Sequence, residues 1–333
     1  MKKIIFITAI CSLILLFSCK DDTVKPVEEF KWHLLEYQFD ATINDLLVTK
    51  SNFILLATSG KGILLSKDKW KTFSSAEGLN DTIFYSLKQL TDGRIAAISR
   101  YRNVYISFDE GLSWINQNVT YPDSSSGLQI SGNGYVACKG KLEIDSSYKY
   151  YSEYYFSKDF GKTWESFPTK IDLYSKLSID GNDKYLMFIY TNENNYSSKI
   201  YIRKNDETSF TETYNVKTIL NLGPNIRLVD DLLFVNLNGL SRSKDGGISW
   251  EKADKGIYWQ NQGANLNRFS YTYDRSLFAL ENDNGIYLSS DKGINWKYFI
   301  QKDYGSSNYF LTNDKYLIKN YFGTWFISNK RVI

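Results

Sequence analysis

The sequence predicts an all-β fold, a single seven-bladed β-propeller built from four-stranded antiparallel blades. Three observations predict it. An octet of the form Ser-x-Asp-x-Gly-x-(Ser/Thr/Asn)-Trp recurs along the chain, residues 19–333 divide into seven units of 45 residues, and only 4 prolines accompany an aromatic content of 16%. A four-stranded blade repeats at about 40–45 residues, and short aromatic-rich runs are typical of its strands.

The octets give the spacing of the blades. Their aspartates are separated by 41, 50, 86 and 46 residues, and the long interval contains a worn copy, "IYIRKNDETSF", with Asn205 in the aspartate position. A seventh unit begins at "WFISNK" and stops at Ile333, while "FKWHLLEY" near the start resembles the segments that follow each octet. We therefore expect an N-terminal outer strand to complete the last blade, which removes an open sheet edge. The octet aspartates are Asp68, Asp109, Asp159, Asp245 and Asp291.

The residue types of the octet suit a turn rather than a reaction. Ser and Asp side chains bond nearby backbone N–H groups, glycine tolerates positive φ, and the tryptophan buries a large surface. The octets resemble the Asp-box, or BNR, repeat of sialidases and many other propellers, and the resemblance extends over nearly the whole mature chain. In those propellers the repeat joins the third and fourth strands on the face away from the ligand. This implies a structural role for the five aspartates and for Trp114, Trp164, Trp250 and Trp296.

The N-terminus is typical of an exported protein. Residues 1–18 combine two lysines with an apolar run whose length fits the h-region of a signal peptide. Ser18 directly precedes Cys19, which resembles the lipobox of bacterial lipoproteins and implies lipidation at Cys19; ordinary signal cleavage is the alternative. Residues 19–29 then form a lipidated tether and residues 30–333 the propeller. We expect an outer-membrane lipoprotein of a Gram-negative bacterium that faces either the periplasm or the exterior.

Charge and cysteine content exclude several kinds of partner. Residues 19–333 carry 38 Lys and Arg against 37 Asp and Glu, which leaves no basic footprint for nucleic acid. Cys138, in the strand-like run "YVACKG", is expected to be buried and unpaired. The single histidine, His33, argues against a zinc site or a histidine-based triad. We expect no cofactor, no metal and a monomer.

Two enzyme classes are built from such repeats. Sialidases clamp a substrate carboxylate with three arginines, the first usually in an Arg-Ile-Pro motif that this sequence lacks. Arg227 and Arg268 fall near inner strands, but the sequence indicates no third partner. Xyloglucanase-type enzymes use two propellers, and this chain supplies one.

The resemblance to single Asp-box propellers, such as photosystem assembly factors and the sortilin ectodomain, therefore favours a non-catalytic module that binds a glycan or an envelope protein. The alternative is a divergent glycoside hydrolase, sialidase-like or xyloglucanase-like, with two carboxylates in the central channel. These would lie about 5–5.5 Å apart in a retaining enzyme or about 6.5–9.5 Å apart in an inverting one.

The ligand is expected on the face opposite the octets. The loops of that face run between blades and between second and third strands, and they are rich in Tyr, Asn and Ser. Aromatic planes with flanking amides suit sugars, while Tyr, Trp and Arg also dominate protein-interface hot spots. Local packing is an equally good explanation of the Tyr258-Trp259 pair. The candidate ligand-binding residues are Trp259, Tyr258, Arg100, Arg102, Tyr190 and Tyr321.

Overall fold

The computed structural model describes residues 30–35, 39, 41–122, 126–144, 150–166, 171–172, 176–182, 184–192, 197–207, 209–216, 226–236, 239–259, 266–301, 308–321, 324–329 and 331–332. Within these residues the chain forms 29 β-strands in seven sheets. This part of the chain contains no helix, so no helix there is long and apolar enough to cross a membrane.

The strands are numbered in chain order, and β1 (Trp32–Leu34) precedes the first complete blade. Blade 1 contains β2 (Ile43–Val48), β3 (Ile54–Thr58), β4 (Ile63–Ser66) and β5 (Ser74–Ser75). Blade 2 contains β6 (Phe84–Gln89), β7 (Ile95–Ser99), β8 (Val104–Ser107) and β9 (Ile115–Asn116). Blade 3 contains β10 (Ser126–Ile130), β11 (Val136–Ile144), β12 (Tyr150–Ser157) and β13 (Glu165–Ser166), and β14 (Ile171–Asp172) pairs with β12 as a short fifth strand.

The remaining blades follow the same order. Blade 4 contains β15 (Lys176–Gly181), β16 (Tyr185–Asn192), β17 (Ser197–Lys204) and β18 (Thr211–Val216). Blade 5 contains β19 (Ile226–Val229), β20 (Leu232–Asn236), β21 (Leu240–Ser243) and β22 (Glu251–Lys252). Blade 6 contains β23 (Leu266–Tyr271), β24 (Phe278–Asn282), β25 (Gly285–Ser289) and β26 (Lys297–Gln301). Blade 7 contains β27 (Asn308–Leu311), β28 (Leu317–Tyr321) and β29 (Thr324–Ser328), with β1 as its outer strand.

The predicted closure of the ring is confirmed. Strand β1 pairs antiparallel with β29, so that Trp32 lies opposite Ser328 and Leu34 lies opposite Phe326. The backbone N–H of Lys31 also donates to the Asn329 side chain at 2.8 Å. The first strand of the propeller thus completes its last sheet, which supplies a partner for the edge that β29 would otherwise expose.

The hydrophobic core lies between adjacent blades. The second strands β3 and β7 are buried along their whole length. One cluster joins Leu55 and Ile63 of blade 1 to Phe84, Ile95 and Tyr105 of blade 2. Because full burial of a large apolar side chain contributes about 1.5–3 kcal/mol, these interblade clusters supply much of the stability of the ring.

The remaining cysteine and the single histidine lie in different environments. Cys138 forms no disulfide with any described residue and is buried in β11, as the sequence predicts. His33 is exposed on β1, the outermost strand of blade 7. The histidine therefore does not line the central channel, where a catalytic group of a propeller enzyme would be expected.

Candidate functional site

The Asp-box turns join the third and fourth strands of their blades and repeat one hydrogen-bonding pattern. In blade 2 the Ser107 hydroxyl donates to Asp109 at 2.8 Å and accepts from the N–H of Gly111 at 2.7 Å. The N–H and the hydroxyl of Ser113 both donate to the Asp109 carboxylate, at 2.9 and 2.6 Å. The pattern holds the backbone of Glu110 and Gly111 at positive φ, 57° and 91°. The same set of bonds surrounds Asp68, Asp159, Asp245 and Asp291.

Glycine at the fifth octet position is required by packing as well as by backbone conformation. A Cβ on Gly111 would lie 2.5 Å from a Leu55 methyl of the preceding blade. The blade 1 copy departs from this rule because Trp70 occupies the same position at φ 75° and is 5% exposed. Trp70 instead packs into the cluster between blades 7 and 1, so its buried indole offsets the backbone strain.

The octet tryptophans pack against the turn and the neighbouring blade. Trp114 and Trp296 are each 3% exposed, whereas Trp164 and Trp250 are half-buried. The Trp114 indole N–H donates to the Gly111 carbonyl at 3.1 Å, and that of Trp296 reaches the Ala253 carbonyl of the interblade loop at 2.9 Å. These bonds satisfy the polar edge of each ring while the rest of the ring is buried.

The worn octet of blade 4 is held together differently. Arg203 stands where the other copies have serine and is fully buried. Its guanidinium carbon lies 4.9 Å from the ring centre of Phe156 and 4.8 Å from that of Phe210, and its Nη1 lies 3.7 Å from Glu165. Stacking on aromatic faces thus replaces the serine–aspartate bonds of the complete octets.

The octet hydrogen bonds predict a loss of stability in acid. Bonds from neighbouring hydroxyl and N–H groups outweigh partial burial and lower the pKa of Asp159 to about 2. A lowered folded-state pKa stabilises the protein above the unfolded value of about 3.9, and this stabilisation disappears as the pH falls toward 2. We expect the urea midpoint to fall between pH 4 and pH 2, and to fall less in Asp159→Asn. Asp206→Asn, at an exposed position of the worn octet, is the matched control, and an unchanged slope in Asp159→Asn would contradict the assignment.

The interblade face is the face opposite the Asp-box turns, formed by the loops between blades and between second and third strands. Arg100 and Arg102 lie there between β7 and β8. Arg100 is exposed, and its neighbour Tyr101 is 63% exposed. Arg102 instead stacks on the Tyr121 ring at 4.4 Å, and the Tyr121 hydroxyl donates to the Arg102 carbonyl. Burial raises the pKa of Tyr121 well above its usual range, so this phenol remains a donor.

Tyr258 and Trp259 lie on the same face, in the loop that leaves β22. The Tyr258 carbonyl accepts bonds from Asn282 at 3.0 Å and Asn284 at 2.9 Å, so the loop backbone is fixed. The Tyr258 side chain is 65% exposed. Trp259 packs against the cluster of Phe269 and its neighbours, and its indole nitrogen is buried. Packing therefore accounts for the position of Trp259, and Tyr258 is the side chain of the pair that a partner can reach.

The sequence-predicted ligand residues do not form one cluster among the described contacts. Arg100 and Arg102 belong to blade 2, whereas Tyr258 and Trp259 lie between blades 5 and 6. Tyr190 pairs with Lys199 near the end of β16, and Tyr321 pairs with Thr324 at the end of β28; their side chains fall outside the described part of the structure. Cys19 and residues 1–29 also lie outside it.

A cavity of about 620 Å³ occupies the central channel, and all seven inner strands contribute to its wall. Its volume is typical of a small-molecule site. Turn residues Tyr273, Arg275 and Asn313 extend the wall toward the Asp-box face. The cationic side chains in the wall are Lys88, Arg227, Arg268 and Arg275.

Asp180 of β15 ties four blades together beside this cavity. It is 2% exposed and accepts from Lys88 Nζ of blade 2 at 2.9 Å. The N–H groups of Gly132, Gly181 and Leu228, from blades 3, 4 and 5, also donate to its carboxylate at 3.1, 2.9 and 3.3 Å. Burial opposes ionisation, but Lys88 and Arg227 outweigh it and hold the pKa of Asp180 below its ordinary value.

The carboxylate of Asp45 in β2 has fewer hydrogen-bond partners than that of Asp180. Its carboxylate accepts from the N–H groups of Leu46 and Leu87, both at 2.9 Å, and lies 3.9 Å from Arg268 Nη1. Burial raises the pKa of Asp45, and Arg268, at this longer distance, offsets the effect only in part. Glu281 in β24 forms a comparable link, accepting from the N–H of Tyr309 in blade 7 at 3.3 Å.

These three acids share one structural cause. The inner strand of each blade is a sheet edge, and its outward N–H groups need acceptors. Asp45, Asp180 and Glu281 supply them across blade boundaries. Sequence reasoning missed Asp45, Asp180, Lys88 and Arg275. The available signal for the first three was a charged residue inside an inner-strand segment, as in "INDLLV" and "FYSLKQ", whereas Arg275 lies in the turn after β23.

Arg275 adds a third arginine to the two that the sequence indicated, but it is already engaged. Its Nε lies 3.4 Å from Asp230, and its Nη1 donates to the Thr272 and Tyr273 carbonyls. The guanidinium also stacks on Tyr271 at 4.4 Å. Within the described residues, no group of three or more His, Cys, Asp or Glu side chains is placed to hold a metal ion.

Comparison with known proteins identifies one Asp-box repeat in the sequence and β-propellers among the similar solved structures. The BNR/Asp-box repeat profile matches residues 155–166, the blade 3 octet with its flanks. No curated protein sequence matches the chain.

Among solved structures, the Niastella koreensis GH74 enzyme is similar with a TM-score of 0.60 and 13% identity, over 86% of this chain and 43% of that one. This chain thus spans less than half of the GH74 enzyme. YCF48 bound to a D1 peptide is similar with a TM-score of 0.53 and 15% identity, over 90% of this chain and 96% of that one. An oligogalacturonate lyase in complex with manganese is similar with a TM-score of 0.57 and 10% identity, over 90% of each chain. These likenesses concern the fold alone, and they agree with the seven-bladed β-propeller and the repeated Asp-box turns described above.

Proposed function

We propose that this chain is an envelope lipoprotein whose propeller binds a partner, a protein or a glycan, on its interblade face without catalysis. The observation that carries the proposal is that three acids at the blade boundaries around the central cavity are already engaged. Asp45, Asp180 and Glu281 all accept backbone N–H groups of neighbouring blades. A general acid or nucleophile must instead present a free oxygen to the substrate.

Exposed aromatic and cationic side chains on the interblade face support a protein partner. Tyr258 is 65% exposed on a backbone that Asn282 and Asn284 hold in place. Tyr101 is 63% exposed beside the exposed Arg100, and the backbone N–H groups on either side of it donate to Ile83 and Ser99. Tyr and Arg are enriched at interface hot spots, and a rigid loop loses little entropy on binding. A glycan could use the same aromatic planes, so the experiment must separate the two.

One solved structure that this chain matches over almost its full length is compatible with a binding module. The match to YCF48, whose structure holds a D1 peptide, extends over almost the full length of both chains. The match to the GH74 enzyme accounts for less than half of that enzyme. A single propeller of this size is therefore compatible with peptide binding. The match to the oligogalacturonate lyase covers the same share of this chain, so the screens below include catalysis.

The test compares tyrosines that differ in position but not in exposure. The full chain would be immobilised and used to capture partners from detergent-solubilised outer membranes, with the captured protein then titrated as a purified ligand. We expect Tyr258→Ala or Tyr101→Ala to weaken binding at least about tenfold, because hot-spot truncations cost about 2 kcal/mol or more. Tyr298→Ala is the control, since Tyr298 is 53% exposed on the outer strand β26, away from the interblade loops.

Parallel screens decide between the alternatives. A glycan array that gives saturable binding, weakened by the same variants, would make the partner a glycan. Turnover of a fluorogenic glycoside would overturn the non-catalytic proposal and favour the alternative, a divergent glycoside hydrolase. Equal binding by Tyr258→Ala, Tyr101→Ala and Tyr298→Ala would remove the interblade face from consideration. Trp259→Ala is a poor probe because its partly buried side chain packs in the core.

A further inference from the structure

Arg268 in β23 has an unusual environment for an arginine inside a protein. Its side chain is 27% exposed and lies in the wall of the central cavity. One face stacks on the Phe310 ring, with the guanidinium carbon 4.1 Å from the ring centre. Asp45 Oδ1 lies 3.9 Å from Nη1, which is beyond hydrogen-bonding distance. Arg268 donates no hydrogen bond to any residue that the structure describes.

Arg268 has hydrogen-bond donors available to a ligand. A guanidinium carries five N–H donors in a rigid plane, and a bound anion can replace the water that would otherwise accept from them. Stacking on Phe310 fixes the plane of the Arg268 guanidinium. The N–H groups along the edges of that plane therefore face the cavity. Burial lowers the pKa of Arg268, with Asp45 and Glu281 opposing the shift, so a further anion beside it would relieve part of the desolvation cost.

The surrounding charges define what the cavity accepts. Lys88 is paired with Asp180 and Arg275 lies beside Asp230, so these two cations already have acids. Arg227, on the neighbouring blade, lies in the same wall as Arg268. Asp45 lies 3.9 Å from Arg268 and also feels the charge of Arg227. Its carboxylate would repel a doubly charged ligand more strongly than a singly charged one. A planar anion of single charge suits this arrangement better than a phosphate of nearly double charge.

We propose that the central cavity binds a small carboxylate-bearing ligand, with Arg268 as its principal contact. The carboxylate accepts a pair of N–H bonds from the guanidinium, and the rest of the ligand occupies the cavity between Leu47, Tyr271 and Phe310. The site is independent of the partner surface proposed above. The cavity lies in the channel, whereas Tyr101 and Tyr258 project from two loops of the interblade face.

The experiment uses a matched pair of probes. Benzoate and benzamide have the same shape, but benzoate alone carries the charge. Ligand-observed NMR titrations of the full chain are expected to show saturable binding of benzoate and at least about tenfold weaker binding of benzamide. Arg268→Gln should weaken benzoate binding about 10- to 100-fold, as expected for loss of charge-assisted hydrogen bonds. Arg268→Lys keeps the charge but loses the planar fork and should also bind weakly.

Controls separate binding from folding. Arg100→Gln removes an exposed arginine of the interblade face and should leave benzoate binding unchanged. An unchanged urea midpoint in Arg268→Lys would show that its loss of binding is not a loss of fold. Equal affinity for benzoate and benzamide, tighter binding of inorganic phosphate than of benzoate, or unaltered binding by both Arg268 variants would each overturn the proposal.

A second series identifies the source of the carboxylate. Galacturonate is compared with its methyl ester, and a dipeptide with a free C-terminus is compared with its amide. Competition against benzoate by galacturonate alone would assign an acidic sugar, and competition by the free dipeptide alone would assign a peptide C-terminus. Failure of both to compete, with benzoate still bound at Arg268, would leave the small carboxylate itself as the ligand class.

Discussion

Replacing Asp180 with alanine is expected to lower the free energy of unfolding by about 3 kcal/mol. The carboxylate is 2% exposed and accepts four bonds from blades 2 to 5. Its removal leaves Lys88 without its acid and three backbone N–H groups without an acceptor. The expected loss of unfolding free energy is near the lower limit for breaking a buried ion pair. The reason is that the Lys88 side chain is 25% exposed and can be hydrated from the cavity.

Urea unfolding followed by tryptophan fluorescence measures this effect directly. The control is Asp92→Ala, which removes an acid paired with Arg94 at the surface, with 48% of the Asp92 side chain exposed. That pair should contribute less than about 1 kcal/mol. A loss below about 1 kcal/mol in Asp180→Ala would contradict its role in joining blades.

The double variant Asp180→Ala/Lys88→Met tests the ionic part of the interaction. Removing Lys88 as well eliminates the uncompensated cation, so the double variant should be more stable than Asp180→Ala alone.

The pH dependence of the Asp180 contribution to stability has a defined sign. Because the pKa of Asp180 is lowered on folding, its contribution is complete above the unfolded pKa of about 3.9 and is lost as the pH falls through the folded value. Asp180→Ala should therefore destabilise less at pH 3 than at pH 7.

Asp45 is expected to show the opposite pH dependence. Its raised pKa means that the folded protein binds this proton more tightly than the unfolded chain, so its contribution becomes less favourable as the pH rises through the folded pKa. The pKa shifts of Asp180 and Asp45 differ in direction because their cationic partners lie at different distances. Lys88 lies 2.9 Å from Asp180, whereas Arg268 lies 3.9 Å from Asp45.

The fold could be predicted from the sequence because its signals are local and repeated. Each octet specifies its own turn through bonds between residues two and four positions apart, such as Ser107 to Asp109 and Ser113 to Asp109. Counting the octets and their worn copies then gives the number of blades. The closing strand β1 followed from one further comparison, the likeness of residues 30–37 to the segments after each octet.

The channel could not be predicted in the same way. Inner strands alternate side chains between channel and core, but several begin with a bulge that changes which residues face inward. The register shifts between Ile43 and Asp45 in β2 and between Leu266 and Arg268 in β23, next to the two charged residues that face each other. No sequence pattern marks these bulges, so the pairing of Asp45 with Arg268 needed the structure.

Loop residues show a different limit of sequence reasoning. Tyr258 and Trp259 are neighbours of similar chemistry, and the sequence gives no basis for separating them. The structure places Trp259 on the Phe269 cluster and leaves Tyr258 exposed, because the Tyr258 carbonyl is fixed by Asn282 and Asn284. Arg100 and Arg102 divide in the same manner, since Tyr121 stacks on Arg102 and not on Arg100.

Cys19→Ala is expected to move the protein from the membrane to the soluble fraction. A bacterial lipoprotein carries two or three acyl chains on this cysteine, and each buried CH₂ contributes about 0.8 kcal/mol to membrane binding. One chain binds only marginally, but two or more anchor the protein stably. Because the acyl chains supply the expected membrane affinity, their removal should remove most of it.

The measurement is fractionation of a Gram-negative host that expresses the full chain, with a high-salt wash to release proteins held by charge alone. Cys138→Ala is the matched control, because it removes a buried thiol of β11 and should leave the protein in the membrane fraction. The mass of the N-terminal peptide should exceed that of the unmodified peptide by the lipid in the parent chain and not in Cys19→Ala. A Cys19→Ala protein that resists the salt wash would disprove the anchor. It would leave the propeller fold and the cavity at Arg268 unaffected, because those rest on residues 31–332 alone.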